Sequence, residues 1–348
     1  MTDETPQITV GVDTHTDSHT AVAIDHLGRR LDQIEIQADA AGYRCLLEWA
    51  RQLGELSRIG VEGTGSYGAG LSRFLTDSGV TVVEVGRVNR QHRRRYGKSD
   101  PADAEAAARA VLSGQQNGIP KSRDGIVESI RVLHVVKRSA LKARTQAANQ
   151  MTGLIVTAPE TTRDELRGLT ALKRAQRAAK WRPGTGHDPT TVTRRAIRAL
   201  ARRWLELTDE INTHNRDLDE MVQLAAPNLV AEQGVSRDVA AKLLIAAGDN
   251  AERIGTEAGF AALCGVNPVS ASSGKTNRHR LNRSGDRQAN NALWIIAMVR
   301  LSRDPETRAY RDRRKTEGLS HREIVRCLKR YLARRLHPIL LKDLAALT

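Results

Sequence analysis

Four carboxylates stand out by type and placement: Asp13 in VGVDTHTDSH, Glu62 in IGVEGTGSYG, and the pair Asp100 and Asp103 in KSDPADAEAAARA. Acids three residues apart at the start of a helix share a face and can grip one cation together. The same pair also fits an ordinary helix start, with Ser99 or Asp100 as cap, Pro101 in the first turn and negative charge at the positive end of the dipole. If all four converge, their mutual repulsion calls for divalent cations, and oxygen-only ligation suits Mg²⁺ or Mn²⁺. Two ions so held stabilise both the attacking and the leaving oxygen of a phosphodiester displacement. A rival site would use Asp13, His15, Asp17 and His19 as alternating ligands on one strand face. The Thr/Ser-rich composition of DTHTDSH and the return of a β pattern at Thr20 favour instead a tight turn after Asp13, with the polar residues solvated.

Elements must carry these acids to one place. Residues 8–37 read as three short strands, ITVGVD, TAVAIDHLG and RLDQIEIQ, the last two joined by a turn signal. ADAAGYRCLLEWARQL then spaces Tyr43, Leu46, Leu47, Ala50 and Leu53 as a helix does. A strand RIGVEG, a helix ending on a glycine stop, a strand VTVVEV, the basic stretch RVNRQHRRRYG (87–97) and the Asp100–Asp103 helix follow. Three strands, helix, strand, helix, strand, helix is the element order of the RNase H-like fold, an α/β mixed sheet with helices on both faces. In that fold Asp13 ends the first strand, Glu62 ends the fourth beside it, and the acidic helix packs against the same sheet. The coincidence of four acids with one fold order favours catalysis over four separate structural roles.

Residues 126–225 look largely helical. Ile197, Leu200, Trp204, Leu207, Ile211, His214, Leu218, Met221 and Ala225 form a heptad seam with His214 as a polar core position. A weaker seam runs over 133–154, and WRPGTGHDPTT breaks the two, which predicts an antiparallel hairpin or a dimerising arm. From about 228, GVSRDVAAKLLIAAGD resembles a helix–hairpin–helix with a degenerate turn. The tail carries basic helices with an apolar stripe through Ile324, Leu328, Leu332 and Leu336. The expected division is 1–115, an RNase H-like catalytic domain; 116–227, a helical coiled-coil arm; and 228–348, a mainly α C-terminal domain.

The net charge is +15, and 19 Lys and Arg lie between Lys275 and Lys342. Such a block attracts a polyanion, nucleic-acid phosphate above all; Lys275, Arg278, Arg280, Arg283 and Arg287 open it. Aromatic residues make up only 3% of the chain, so contacts to backbones rather than stacking on bases are expected. A membrane surface is disfavoured because the block has no Trp/Phe-rich apolar face. No apolar run reaches bilayer length, and the start MTDETPQITV lacks a leader's pattern. Cys45, Cys264 and Cys327 are scattered, as free thiols in a reducing compartment would be. A cytoplasmic protein, associated with the nucleoid, is expected.

Taken together, GVDTHTD, VEGTGSYG and KSDPADA, joined to a C-terminal module with GVNPVSASSGK and RSGDRQANNAL, resemble the DEDD transposases of bacterial insertion sequences, whose RNA-guided members are called bridge-RNA recombinases. The resemblance implies a resolvase-like domain whose Asp13, Glu62, Asp100 and Asp103 bind Mg²⁺, and a C-terminal serine that attacks DNA. VSASSGK offers Ser270, Ser272 and Ser273; the family's serine commonly precedes a glycine, which points to Ser273. The resemblance also implies a noncoding guide RNA, DNA partners at element ends and target, and a homodimer or tetramer assembled through the arm. Without the C-terminal module, the carboxylates alone would equally fit a metal-dependent nuclease specific for DNA junctions.

Overall fold

The computed structural model describes residues 6–86, 99–272 and 279–347. The chain separates into two units, Met1–Arg123 with Asn250–Gly255, and Asp124–Asp249 with Thr256–Thr348. The first is organised on a mixed five-stranded sheet. β1 (Gln7–Thr14), β2 (Ser18–Asp25) and β3 (Arg30–Gln37) pair as antiparallel neighbours. α1 (Ala40–Leu53) leads to β4 (Glu55–Glu62), parallel to β1, and α2 (Ala69–Asp77) leads to β5 (Val82–Val85), parallel to β4. The strand order is β3-β2-β1-β4-β5. β3, on the edge, keeps the polar sequence RLDQIEIQ largely exposed, and its charges discourage pairing with another chain.

Both faces of the central strands are covered, so β1 and β2 are buried almost throughout, the polar Thr9, His19 and Thr20 included. On one face Val10, Val12, Ala21, Ala23, Ile59 and Val61 meet Leu46, Ala50, Leu71 and Leu75 of α1 and α2. The opposite face takes α3 (Asp100–Leu112). There Ala104 and Ala108 pack on Val22 and Ile24, and Ala107 and Val111 on Val83 and Val85. Side chains alternate across a strand, so Gly11 and Asp13 of β1, and Gly60 and Glu62 of β4, belong to the α3 face.

The helix comes very close. A Cβ on Gly11 would overlap the Ala104 carbonyl oxygen and the Ala108 nitrogen. One on Gly60 would lie 2.7 Å from a Val111 methyl. The alanines of α3 and the glycines of β1 and β4 are therefore two halves of one contact.

In the second unit α4 (Ile126–Thr157) and α7 (Pro189–Ala225) pack along each other, with α5 (Glu160–Asp164) and α6 (Ala171–Ala179) between them in sequence. Ala147 and Met151, late in α4, share a cluster with Ile197, Ala201 and Trp204, early in α7, so the pair is antiparallel. The buried stripe of α7 is Ile197, Ala201, Trp204, Ile211, Leu218, Val222 and Ala225. Leu200, Leu207, His214 and Met221 of the expected seam are only half-buried. A helix near 3.6 residues per turn drifts off a strict 3.5 repeat, which moves burial onto Ala201 and Val222.

After α7 come α8 (Pro227–Ala231), α9 (Arg237–Ala247) and α10 (Glu257–Leu263). A short ribbon of β6 (Val269–Ser270) and β7 (His279–Arg280) precedes α11 (Arg287–Arg303), α12 (Pro305–Thr316) and α13 (His321–Ala345). Ile324, Leu328, Leu332 and Leu336 are buried as the stripe predicts. Among the described residues no helix is long and apolar enough to cross a membrane.

The Gly11 contact generates the first prediction. Gly11→Ala forces two backbones apart and should destabilise the first unit by about 3 kcal/mol, at the upper end of overpacking costs. Urea unfolding of the full chain measures it; a wild-type transition would refute the close approach.

Candidate active site

Asp13 is the penultimate residue of β1, and Val12 pairs with Val61 in the parallel ladder. Asp13 and Glu62 are thus the next residues along two adjacent parallel strands, both on the α3 face. The strand ends are tied, since the Thr14 hydroxyl donates to the Glu62 carbonyl oxygen at 2.8 Å. α3 begins over this edge. Ser99 occupies its cap position without a side-chain cap bond, and Pro101 lies in the first turn. Both acids lie in the first turn of the helix. Asp100 is half-exposed, and Asp103, one turn on, is buried.

His15 joins the two elements. Its Nε2 lies 3.2 Å from Asp13 Oδ2 and 3.3 Å from Asp100 Oδ1. Ligand atoms of Asp13, His15 and Asp100 all lie within 4.8 Å of one another, which fits the donor geometry of a divalent cation site. The carboxylates also feel each other. Burial pushes the Asp13 carboxyl above its ordinary range, His15 pulls it back, and Asp100 and Asp103 push it further up. Like charges gathered this way are what a bound cation neutralises.

The turn expected after Asp13 is present, because the chain reverses over residues 15–17 and the His15 N–H donates to the Ser18 carbonyl oxygen at 3.1 Å. That reversal dismantles the alternating-ligand site. Asp17 is exposed, while His19 lands on the opposite face of the sheet. The His19 ring is fully buried and stacks on Tyr43, with centroids 5.9 Å apart. Burial lowers its pKa, which keeps it neutral. His15 stays exposed, as expected of a turn residue, but its ring also meets Asp13 and Asp100, a contact the sequence does not announce. Its partner Asp100 is 85 positions away, so only the tertiary fold could reveal the contact.

Elsewhere, Arg280 on β7, Arg283 and Arg287 at the start of α11 are exposed, and α12 buries none of its residues. Ser270 and Ser272 are exposed, with their hydroxyls 3.4 Å apart. Ser273, Lys275 and Arg278, like the basic stretch 87–97, lie outside the described residues.

The sequence is similar to those of known proteins. Residues 10–158 match a transposase family model, and residues 227–312 match the model of the IS116/IS110/IS902 transposase family. A 42 kDa protein of insertion element IS900 from Mycobacterium paratuberculosis is 29% identical over 164 residues, covering 46% of this chain and 40% of that protein. A 43.6 kDa protein of insertion element IS110 from Streptomyces coelicolor is 32% identical over 106 residues, 30% of this chain and 26% of its own. A mini-circle protein for IS117 of the same species is 26% identical over 162 residues, 44% of this chain and 39% of its own. The matched part of the chain thus spans well under half the length of each of these relatives.

The site's electrostatics give the second prediction. Mn²⁺ or Mg²⁺ should raise the melting temperature of the chain, by the equivalent of about 2.7 kcal/mol at a hundredfold excess over the dissociation constant. Asp13→Asn and Asp100→Asn keep the shape and remove the charge, and should lose most of that shift. Differential scanning calorimetry with and without metal decides; equal shifts in all three proteins would disprove a cation site here.

Proposed function

The chain belongs to the IS116/IS110/IS902 transposase family, and from that premise we propose that it is the transposase of an insertion sequence, cutting and rejoining DNA strands. The observation that carries this reading is the gathering of Asp13, Asp100 and His15 at one sheet end, with Asp103 and Glu62 on the same face. The sheet order, an antiparallel meander continued by parallel strands, supports an RNase H-like, resolvase-like domain over 1–115. On this reading a helical arm (116–227) and a C-terminal transposase domain (228–348) complete the chain.

Asp13, Glu62, Asp100 and Asp103 would hold the cation. Bound there, Mg²⁺ would supply charge stabilisation to the phosphate undergoing displacement. His15 adds a nitrogen to a set expected to be all oxygen, and imidazole with carboxylate suits Mn²⁺ at least as well as Mg²⁺. The chain's own work is to fix these groups. β1 and β4 set the spacing of Asp13 and Glu62, α3 brings in two further carboxylates, and His15 bridges the two elements and orients Asp13.

The nucleophile in this reading is Ser273. Its Oγ bonds to phosphorus, one DNA oxygen leaves with the strand end, and the hydroxyl proton passes to a general base. The exposed Arg280, Arg283 and Arg287, with Lys275 and Arg278, would hold phosphates. Sequence choice would fall to pairing with a guide RNA encoded by the element, and a homodimer or tetramer would assemble through the arm. The aromatic-poor composition supports backbone contacts over base stacking.

A denaturing gel with labelled DNA tests the reading. The wild type should form a serine–DNA adduct that survives denaturation. Ser273→Ala should abolish it, and each of Asp13→Asn, Glu62→Asn, Asp100→Asn and Asp103→Asn should reduce it by at least a hundredfold, on the order of one lost electrostatic catalytic group. Loss in Ser272→Ala alone would move the nucleophile by one residue. Cleavage without an adduct, unchanged in both serine variants, would mean that water attacks, as in a junction nuclease.

A further inference from the structure

A second concentration of positive charge lies on the arm, far in sequence from the C-terminal block. Between Glu160 and Glu206 the chain carries 12 Lys and Arg against 5 Asp and Glu. Arg195, Arg198, Arg202 and Arg203 gather on the early half of α7, where with Ala199 and Glu206 they line a surface groove. Arg202 and Arg203 are exposed, and Arg195 and Arg198 are half-buried.

Their neighbour Arg194 has a structural task. It forms a two-pronged pair with Glu165 at 2.8 and 3.1 Å and lies over the Trp181 ring at 4.2 Å. The four groove arginines have no such task. Among the described residues none of them is within ion-pairing distance of a carboxylate. The Arg198 Nε is buried without a hydrogen-bond partner. Positions 195, 198 and 202 follow helical spacing, so like charges stack on one face and disfavour the helix unless an anion meets them.

We infer that this groove binds the phosphate backbone of a double-helical nucleic acid. From Arg195 to Arg203 the helix rises about 12 Å, and a duplex presents about seven phosphates over that length of axis. A planar guanidinium matches phosphate oxygens in a fork, where an ammonium acts as a point charge. No aromatic side chain lines the groove, so bases have nothing to stack on. Ala199 is its only apolar residue, which is too little to enter a lipid surface. DNA and RNA duplexes offer the same backbone chemistry, and either source would use the same arginines. The inference shares with the proposed function only that the chain handles nucleic acid; it requires neither the metal site nor Ser273.

Fluorescence anisotropy of the full chain with labelled DNA and RNA duplexes tests it, over about 50 to 200 mM salt. A variant carrying Arg195→Gln, Arg198→Gln, Arg202→Gln and Arg203→Gln should bind at least one duplex about tenfold more weakly, with a log–log salt slope smaller by about 3 to 4. The duplex that shows the loss identifies the source. Should the fourfold variant melt early, Arg202→Gln with Arg203→Gln removes only exposed groups and should lower the slope by about 2. Unchanged affinity and slope with both duplexes overturns the inference. So would loss of binding to phosphatidylserine vesicles with duplex binding intact. A parallel variant, Arg280→Gln, Arg283→Gln and Arg287→Gln, reports on the C-terminal face separately. A slope change there and none on the arm would leave the proposed function standing and reject the groove.

Discussion

The approach of one helix to two strands governs the first unit. Gly11 and Gly60 leave the sheet bare at two adjacent points, and the backbone of α3 settles into the space through Ala104, Ala107 and Ala108. Close-packed backbones admit no side chain between them and tolerate little displacement. That rigidity is what a site assembled from three separate segments needs. Asp13 and Glu62 stand two residues beyond the glycines on the same face. Asp100 and Asp103 lie on the first turn of the helix that the glycines admit. The alanine-rich composition of α3, which on its own speaks only of helix propensity, is the condition for its fit.

Much of this was legible in the sequence. Gly-Val-Asp at 11–13 and Gly-Val-Glu at 60–62 are the same pattern on two strands, and period-two alternation gives each acid the face of its glycine. Asp100-Pro101 marks a helix start by local chemistry alone. His15 was not legible, because a turn residue is assigned by its neighbours in sequence while its partner here comes from α3. The drift of burial from Leu200 to Ala201 is similar, since it depends on how straight the helix remains against its partner. A heptad count sees spacing and not curvature.

Charge followed the same rule. The C-terminal block is conspicuous in the sequence because it is long, with 19 Lys and Arg between Lys275 and Lys342. The basic residues between Glu160 and Glu206 are spread over α5, α6 and α7 and interleaved with alanines that pack inward, such as Ala175, Ala178 and Ala201. Only the fold separates the arginines engaged in structure, such as Arg194, from those that pair with no carboxylate among the described residues. On the proposed reading, two basic surfaces on one chain would grip a polymer at more than one point, and the affinity of linked contacts multiplies.

The shared pattern on β1 and β4 has a consequence for how the protein is made. A strand shifted by one residue against its neighbour exchanges its faces. In β1 such a shift would turn Val12 toward α3, where only glycine fits, and drive the Asp13 carboxylate into the apolar layer against α1 and α2. Steric exclusion and the cost of burying a charge would then act together. A misthreaded chain would be rejected twice over, so the arrangement of acids doubles as a proofreading device for the sheet that bears them.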